Sequence, residues 1–205
     1  MTKIKLCGLT RACDIETVNQ LKPDYIGFVF WPKSKRNLSK EQAKELKSLL
    51  DPEIQVIGVF VDENMDTVAN LLEEGIIDIA QLHGSEDEEY IETLRNRTGK
   101  IIFKAFTIKD LDAVERANAS NADCVLVDSG KGSGVAFDWN LLKEMKRPYL
   151  LAGGLSLSNV EEAITLIKPY GVDVSSGIES DGKKDVKKMI EFVNRVRCLA
   201  SGKEE

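Results

Sequence analysis

Eight short apolar runs recur along the chain: Ile4 to Cys7, Tyr25 to Phe30, Gln55 to Val61, Ile79 to Leu82, Ile101 to Phe106, Cys124 to Val127, Tyr149 to Ala152 and Val172 to Val174. Amphipathic stretches with helix-start signals separate them. Strand-then-helix alternation implies parallel βαβ units, because a parallel neighbour is reached only through a crossover connection. Eight such units close into a (β/α)8 TIM barrel, and 205 residues match the lower end of that fold, about 200 residues. The apolar character of the runs is nearly continuous, as expected of strands covered on both faces. An open doubly wound sheet is the rival, though eight parallel strands with such even helix spacing are less usual in it. There is no convincing internal repeat and no Pro/Gly/Ser-rich linker, so residues 1–205 read as one barrel domain with 201–205 as a frayed polar tail.

Ser39-Lys40-Glu41-Gln42, Ser85-Glu86-Asp87-Glu88 and Ser158-Asn159-Val160-Glu161 each fit the capping-box pattern and predict helix starts. After Ser39 the positions Ala43, Leu46, Leu49 and Leu50 keep helical spacing. After Asn64, Met65, Val68, Leu71 and Leu72 do so until Gly75. The last helix reads from Asp185 through Met189, Val193 and Val196.

A net charge of −6 argues against nucleic acid or a membrane surface as a partner, since both demand a basic face. Lys33-Ser34-Lys35-Arg36 is the only notable basic loop, and Lys183 and Lys184 look isolated. The start has no apolar signal core, no run approaches the ~20 residues that span a bilayer, and the four cysteines form no metal-type or dense disulfide pattern. A cytoplasmic protein is the expectation. With one histidine in the chain, a His-based metal site would have to be built entirely around it, and a catalytic metal is not expected.

In such a barrel the active site lies at the C-terminal ends of the strands. Those ends present Cys7, Arg36 in the following loop, Asp62, His83, Ala105, Asp128, Gly153 and Ser175. Leu151-Ala152-Gly153-Gly154-Leu155 and Asp173-Val174-Ser175-Ser176-Gly177 open apolar runs into small residues. Backbone N–H groups stand uncovered there, and a following helix N-terminus would add donors, so a phosphate cup is expected after strands 7 and 8. Cys7 and Asp128 are candidates for general base and general acid, although each also fits a structural role as a small buried hydrophobe or a loop cap. Arg36 is either a planar fork for a carboxylate or a solvated charge. His83 is either near the ligand or structural. The glycine-rich stretch Ser129 to Gly134 matches neither nucleotide-binding pattern and reads as a lid or a surface loop.

Taken together, Lys5-Leu6-Cys7-Gly8-Leu9-Thr10, Gly27-Phe28-Val29-Phe30 with Pro32 to Arg36, Gln81-Leu82-His83-Gly84, Val127-Asp128, Ala152-Gly153-Gly154-Leu155 and Asp173 to Glu179 resemble the phosphoribosylanthranilate isomerase family. The family motif often has Ile where this chain has Leu9, a volume-conserving change. The resemblance implies an Amadori rearrangement of N-(5-phosphoribosyl)anthranilate to 1-(2-carboxyphenylamino)-1-deoxyribulose 5-phosphate in tryptophan biosynthesis, needing neither metal nor organic cofactor; a monomer or homodimer acting on a small phosphorylated substrate is the expectation. It assigns Asp128 as the acid that opens the furanose ring and Cys7 as the base at the sugar C2. It further implies that Arg36 engages the anthranilate and that the backbone at Gly154, Ser176 and Gly177 takes the phosphate; Gly153, Ser175 and His83 at the neighbouring strand ends complete the expected substrate-binding set. The thiolate is expected to be favoured by backbone dipoles or the substrate's Schiff-base charge. Other phosphate-binding barrels, such as an indole-glycerol-phosphate synthase or a ribulose-phosphate epimerase, and a non-catalytic sensor remain as alternatives.

Overall fold

A computed structural model describes residues 1–128 and 139–201. The glycine-rich stretch from Ser129 lies outside the described residues, and with it the expected lid. Eight parallel strands close in sequence order, β1 (Lys3–Cys7), β2 (Tyr25–Val29), β3 (Gln55–Phe60), β4 (Ile79–Leu82), β5 (Ile101–Thr107), β6 (Cys124–Asp128), β7 (Tyr149–Ala152) and β8 (Gly171–Val174). All eight coincide with the apolar runs to within a residue or two. The ring is closed by β1 on β8, with Lys5 opposite Asp173 and Leu6 opposite Val174.

Helices α1 (Ala12–Leu21), α2 (Lys40–Ser48), α3 (Met65–Glu73), α4 (Glu88–Thr98), α5 (Leu111–Ala119), α6 (Val160–Ile167) and α7 (Val186–Ser201) surround the ring, and a 3₁₀ helix, Trp139–Glu144, precedes β7. The Ser39 capping box forms as expected: the hydroxyl accepts from Gln42 N, and the Gln42 side chain accepts from Ser39 N. The other two serines are not caps. Asp87 caps α4 by accepting from Tyr90 N at 2.9 Å, because Ser85 is held by Asp62 instead. Asn159 stands at the cap position of α6, with its side chain turned back to Ser156 N and Gly154 O. Helix α7 extends through Ser201, the first residue of the expected tail.

Period-two alternation sorts each strand into two layers. Outward residues such as Leu6, Phe28, Phe60, Val127 and Val174 pack against the helices in one continuous core that includes Phe192 and Val193 of α7. Phe30 and Phe60 stack there at 5.3 Å. Inward residues Tyr25, Ile57, Ile79, Phe103, Leu126 and Leu150 fill the barrel. Burial of each such large side chain stabilises the fold by roughly 1.5–3 kcal/mol. The inner face is less apolar than the sequence suggests, for Lys5 and Gln81 are buried on it.

Candidate active site

The mouth of the barrel is built on β1, β2, β4, β6, β7 and β8. Cys7 ends β1 on the inward face and is buried. Opposite it in the sheet is Gly27 of β2, where an added Cβ would lie 2.6 Å from the Cys7 sulfur, so only a glycine leaves the sulfur its place. Gly8 has φ +78°, and a side chain there would overlap Arg36 Cδ. This glycine lets Arg36 cross the end of β1 and reach the site from the loop after β2.

Arg36 does not project freely. Its Nε and Nη2 donate to the two oxygens of Glu179 at 2.6 and 2.8 Å. Such bidentate pairing is directional and strong. It leaves the outer edge of the guanidinium, formed by Nη1 and the second Nη2 proton, for another carboxylate. Glu179 also accepts from Lys184 Nζ at 2.8 Å. Burial alone would raise the Glu179 pKa, but the Arg36 and Lys184 hydrogen bonds outweigh it and hold it at about 2. Lys184, which the sequence presents as isolated, is buried, and its ammonium also donates to Ser175 O at 2.9 Å. Burial lowers its pKa despite Glu179.

Two residues behind Cys7, Lys5 is fully buried and ion-paired at 3.0 Å with Asp173 of β8. Lysine is almost never buried without a partner, and removing either member of such a pair costs about 3–5 kcal/mol. Burial works against the Lys5 charge, yet Asp173 and Cys7 beside it raise its pKa. For Cys7, burial pushes the thiol up and Asp173 adds to this, while Lys5 and Lys184 pull it down without cancelling the burial. The cationic groups next to the sulfur are therefore side chains, beyond the backbone dipoles and substrate charge expected from the sequence. A charge at an alternate position of an apolar strand, in Ile4-Lys5-Leu6-Cys7 and again in Val172-Asp173-Val174, is the signal that marks this pair.

Across the mouth, Asp128 ends β6, three strands round the ring from β1. His83, just past β4, places Nε2 3.5 Å from Asp128 Oδ2. Gln81 Nε2 lies 3.3 Å from His83 Nδ1, and a donation there leaves the ring proton on Nε2, facing the carboxylate. The single histidine thus bears on the expected acid. Asp62 plays a different part, accepting from the Ser85 N–H and hydroxyl at 2.6 and 2.7 Å and so joining the loops after β3 and β4. Ala105 is buried inside the barrel.

The loops after β7 and β8 meet through a parallel bridge between Ser156 and Gly177, and any side chain at Gly177 would overlap Leu155 O. Gly153 and Gly154 have φ +80° and +73°, a left-handed path that glycine takes without strain. Ser176 is exposed beside them. The Ser175 hydroxyl is turned away, donating to Cys7 O at 3.1 Å, and its carbonyl accepts from Lys184 Nζ and Ile178 N. Helix α7 does not begin until Val186, so no helix N-terminus directly follows β8. The short hairpin β9 (Glu179–Ser180) and β10 (Lys183–Lys184) intervenes. Among the described residues no group of three or more His, Cys, Asp or Glu side chains converges as a metal site would require.

A family model described as N-(5'phosphoribosyl)anthranilate (PRA) isomerase matches residues 4–195. The chain is 46% identical over 206 residues to the N-(5'-phosphoribosyl)anthranilate isomerase of Thermoanaerobacter sp. (strain X514), with 97% of this chain and 100% of the relative covered. Its fold is similar to the crystal structure of phosphoribosyl anthranilate isomerase from Thermotoga maritima, with a TM-score of 0.87, 33% identity and coverage of 97% and 100%. It is also similar to a phosphoribosyl anthranilate isomerase solved in complex with reduced 1-(o-carboxyphenylamino)-1-deoxyribulose 5-phosphate, with a TM-score of 0.85, 32% identity and coverage of 97% and 100%. With a closed barrel, a cysteine and an aspartate at separate strand ends of one mouth and a near full-length match, the chain belongs to the N-(5'-phosphoribosyl)anthranilate isomerase family.

Proposed function

We propose that this protein isomerises N-(5'-phosphoribosyl)anthranilate to 1-(2-carboxyphenylamino)-1-deoxyribulose 5-phosphate, a step of tryptophan biosynthesis. The observation that carries the reading is the placement of Cys7 and Asp128 at the C-terminal ends of β1 and β6, on one mouth of a closed ring. Asp128 gives a proton to the furanose ring oxygen. As the C1–O bond breaks, the nitrogen lone pair forms the C1=N bond of a protonated Schiff base. Cys7, as thiolate, then takes the proton from C2, and the released electron pair forms C1=C2 and neutralises the nitrogen. The resulting enolamine gains a proton at C1 and loses one from the C2 hydroxyl, giving the amino ketone. The acid must hold its proton before the first step and the base must have lost its own before the second, and here the two roles fall to groups on different strand ends.

The outer edge of Arg36 suits the anthranilate carboxylate, since Glu179 fixes the guanidinium from its other side. The phosphate rests on the backbone of Gly154, Ser176 and Gly177, where the loops after β7 and β8 touch; Gly153 and Ser175 shape that cup. His83 serves the ligand through Asp128. Every group comes from one chain, so a monomer suffices and a homodimer is compatible. Among the described residues no helix is long and apolar enough to cross a membrane. All four cysteines are thiols, which suits a reducing, cytoplasmic setting.

The test is turnover of N-(5'-phosphoribosyl)anthranilate by the wild-type chain and two variants. Cys7→Ser and Asp128→Asn should each lower kcat at least ~100-fold with KM little changed. A wild-type chain without turnover rejects the function. Near-normal kcat in either variant rejects that residue's role.

A further inference from the structure

Behind the Cys7 sulfur lies a charge that this chemistry leaves unexplained. Lys5 and Cys7 share the inward face of β1, roughly 7 Å apart along the strand. The Lys5 side chain is wholly buried, with Nζ 3.0 Å from Asp173 Oδ2. The other oxygen, Asp173 Oδ1, is buried with no hydrogen-bond partner. An ion pair retained for stability alone is poorly made this way, and an apolar pair of similar volume often serves a core as well or better. The remaining protons of the ammonium are available to the sulfur next to it on the same face.

Resting on the reading of Cys7 as the base, we propose that Lys5 is a positioning residue for Cys7: tethered by Asp173, its ammonium stands against the sulfur from inside the barrel and offsets part of the cost of forming there the anion that the second step needs. The other groups facing Cys7 do not replace it. Lys184 of β10 and Arg36 from the loop after β2 both spend hydrogen bonds on Glu179 of β9. β2 presents only Gly27 at the sulfur, and the Ser175 hydroxyl faces the Cys7 carbonyl oxygen. Among the cations that pull the thiol down, Lys5 has the largest effect, and Asp173 opposes it.

The experiment titrates the ultraviolet thiolate absorbance of the substrate-free protein, taken as the difference from a Cys7→Ser protein in the same background so that the other cysteines cancel. Lys5→Met should raise the Cys7 midpoint by about one pH unit or more. Asp173→Asn removes the opposing charge and should lower the midpoint. A Lys5→Met/Asp173→Asn double variant leaves no unpaired buried charge, so it covers the case in which Lys5→Met does not fold. Its midpoint should lie above wild type, because Lys5 outweighs Asp173. Opposite movements in Asp173→Asn and in the double variant support the assignment, since a structural spacer would produce neither. An unmoved midpoint in both overturns it. The titration needs no substrate and so separates the two readings. If Cys7 is not the base, Cys7→Ser turns over normally while the midpoints still move. If Lys5 is not its partner, Cys7→Ser is inactive while the midpoints stay.

Discussion

At the scale of single residues the site depends as much on what is missing beside Cys7 as on what is present. Gly27 leaves the sulfur its volume, and Gly8 leaves a path for Arg36. Gly27→Ala should therefore damage the chemistry more than the fold. The new methyl meets the sulfur at 2.6 Å and Cys7 Cα at 3.1 Å, so the sulfur must turn or the strands must part. A displacement of about 1 Å at a reacting group costs on the order of 100-fold in rate. The expected result is kcat down roughly 10- to 100-fold with a cooperative unfolding transition retained, read by steady-state kinetics and thermal denaturation. Unchanged kcat would show that the sulfur has room to spare. Cys7, Arg36 and Asp128 are legible in the sequence because they end apolar runs or closely follow them. Lys5 and Asp173 are not singled out there, since each lies inside a run and only pairing across β1 and β8 makes their burial tolerable.

At the scale of elements, the segment between β8 and α7 differs most from expectation. A hairpin replaces an immediate helix start there, and it carries Glu179 to Arg36 and Lys184. Because Glu179 is held at about 2 in the fold against an ordinary 4.5, its carboxylate contributes stability above the ordinary value, and that contribution fades as pH falls from 4.5 toward about 2. Wild-type unfolding temperature should accordingly drop more steeply across this interval than that of Glu179→Gln, which cannot titrate. At neutral pH the variant should be the less stable of the two and should show a raised KM, because Arg36 loses its anchor. Parallel pH profiles of the two proteins would refute the assignment. Helix starts divide in the same way between local and distant causes. Ser39 caps as its spacing predicts, whereas Ser85 is claimed by Asp62, a residue 23 positions away.

For the whole molecule, the eightfold alternation of strand and helix has one consequence that reaches function: the strand ends share one rim, and groups far apart in sequence become neighbours. That rim holds a thiol, a carboxyl, a guanidinium and backbone donors, and the chain has one histidine. Exhaustive chelation should accordingly leave kcat and KM unchanged. Activity lost on chelation and restored by a divalent cation would require a metal in the reaction and overturn the acid–base scheme.

Local pattern along the chain is enough to establish the class of fold, all eight strands and the positions of Cys7, Arg36, His83, Asp128 and the two small-residue loops. Apolar period and strand-end position are local properties, readable without knowing what a strand faces. The partners emerge only in the closed ring: Glu179 on Arg36, Lys184 under Ser175, His83 toward Asp128 and Lys5 with Asp173 inside the barrel. Closing β8 against β1 brings Asp173 to Lys5 across 168 residues of chain. Electrostatic energy depends on distance in space and on exclusion of water. Neither is set until the ring is closed.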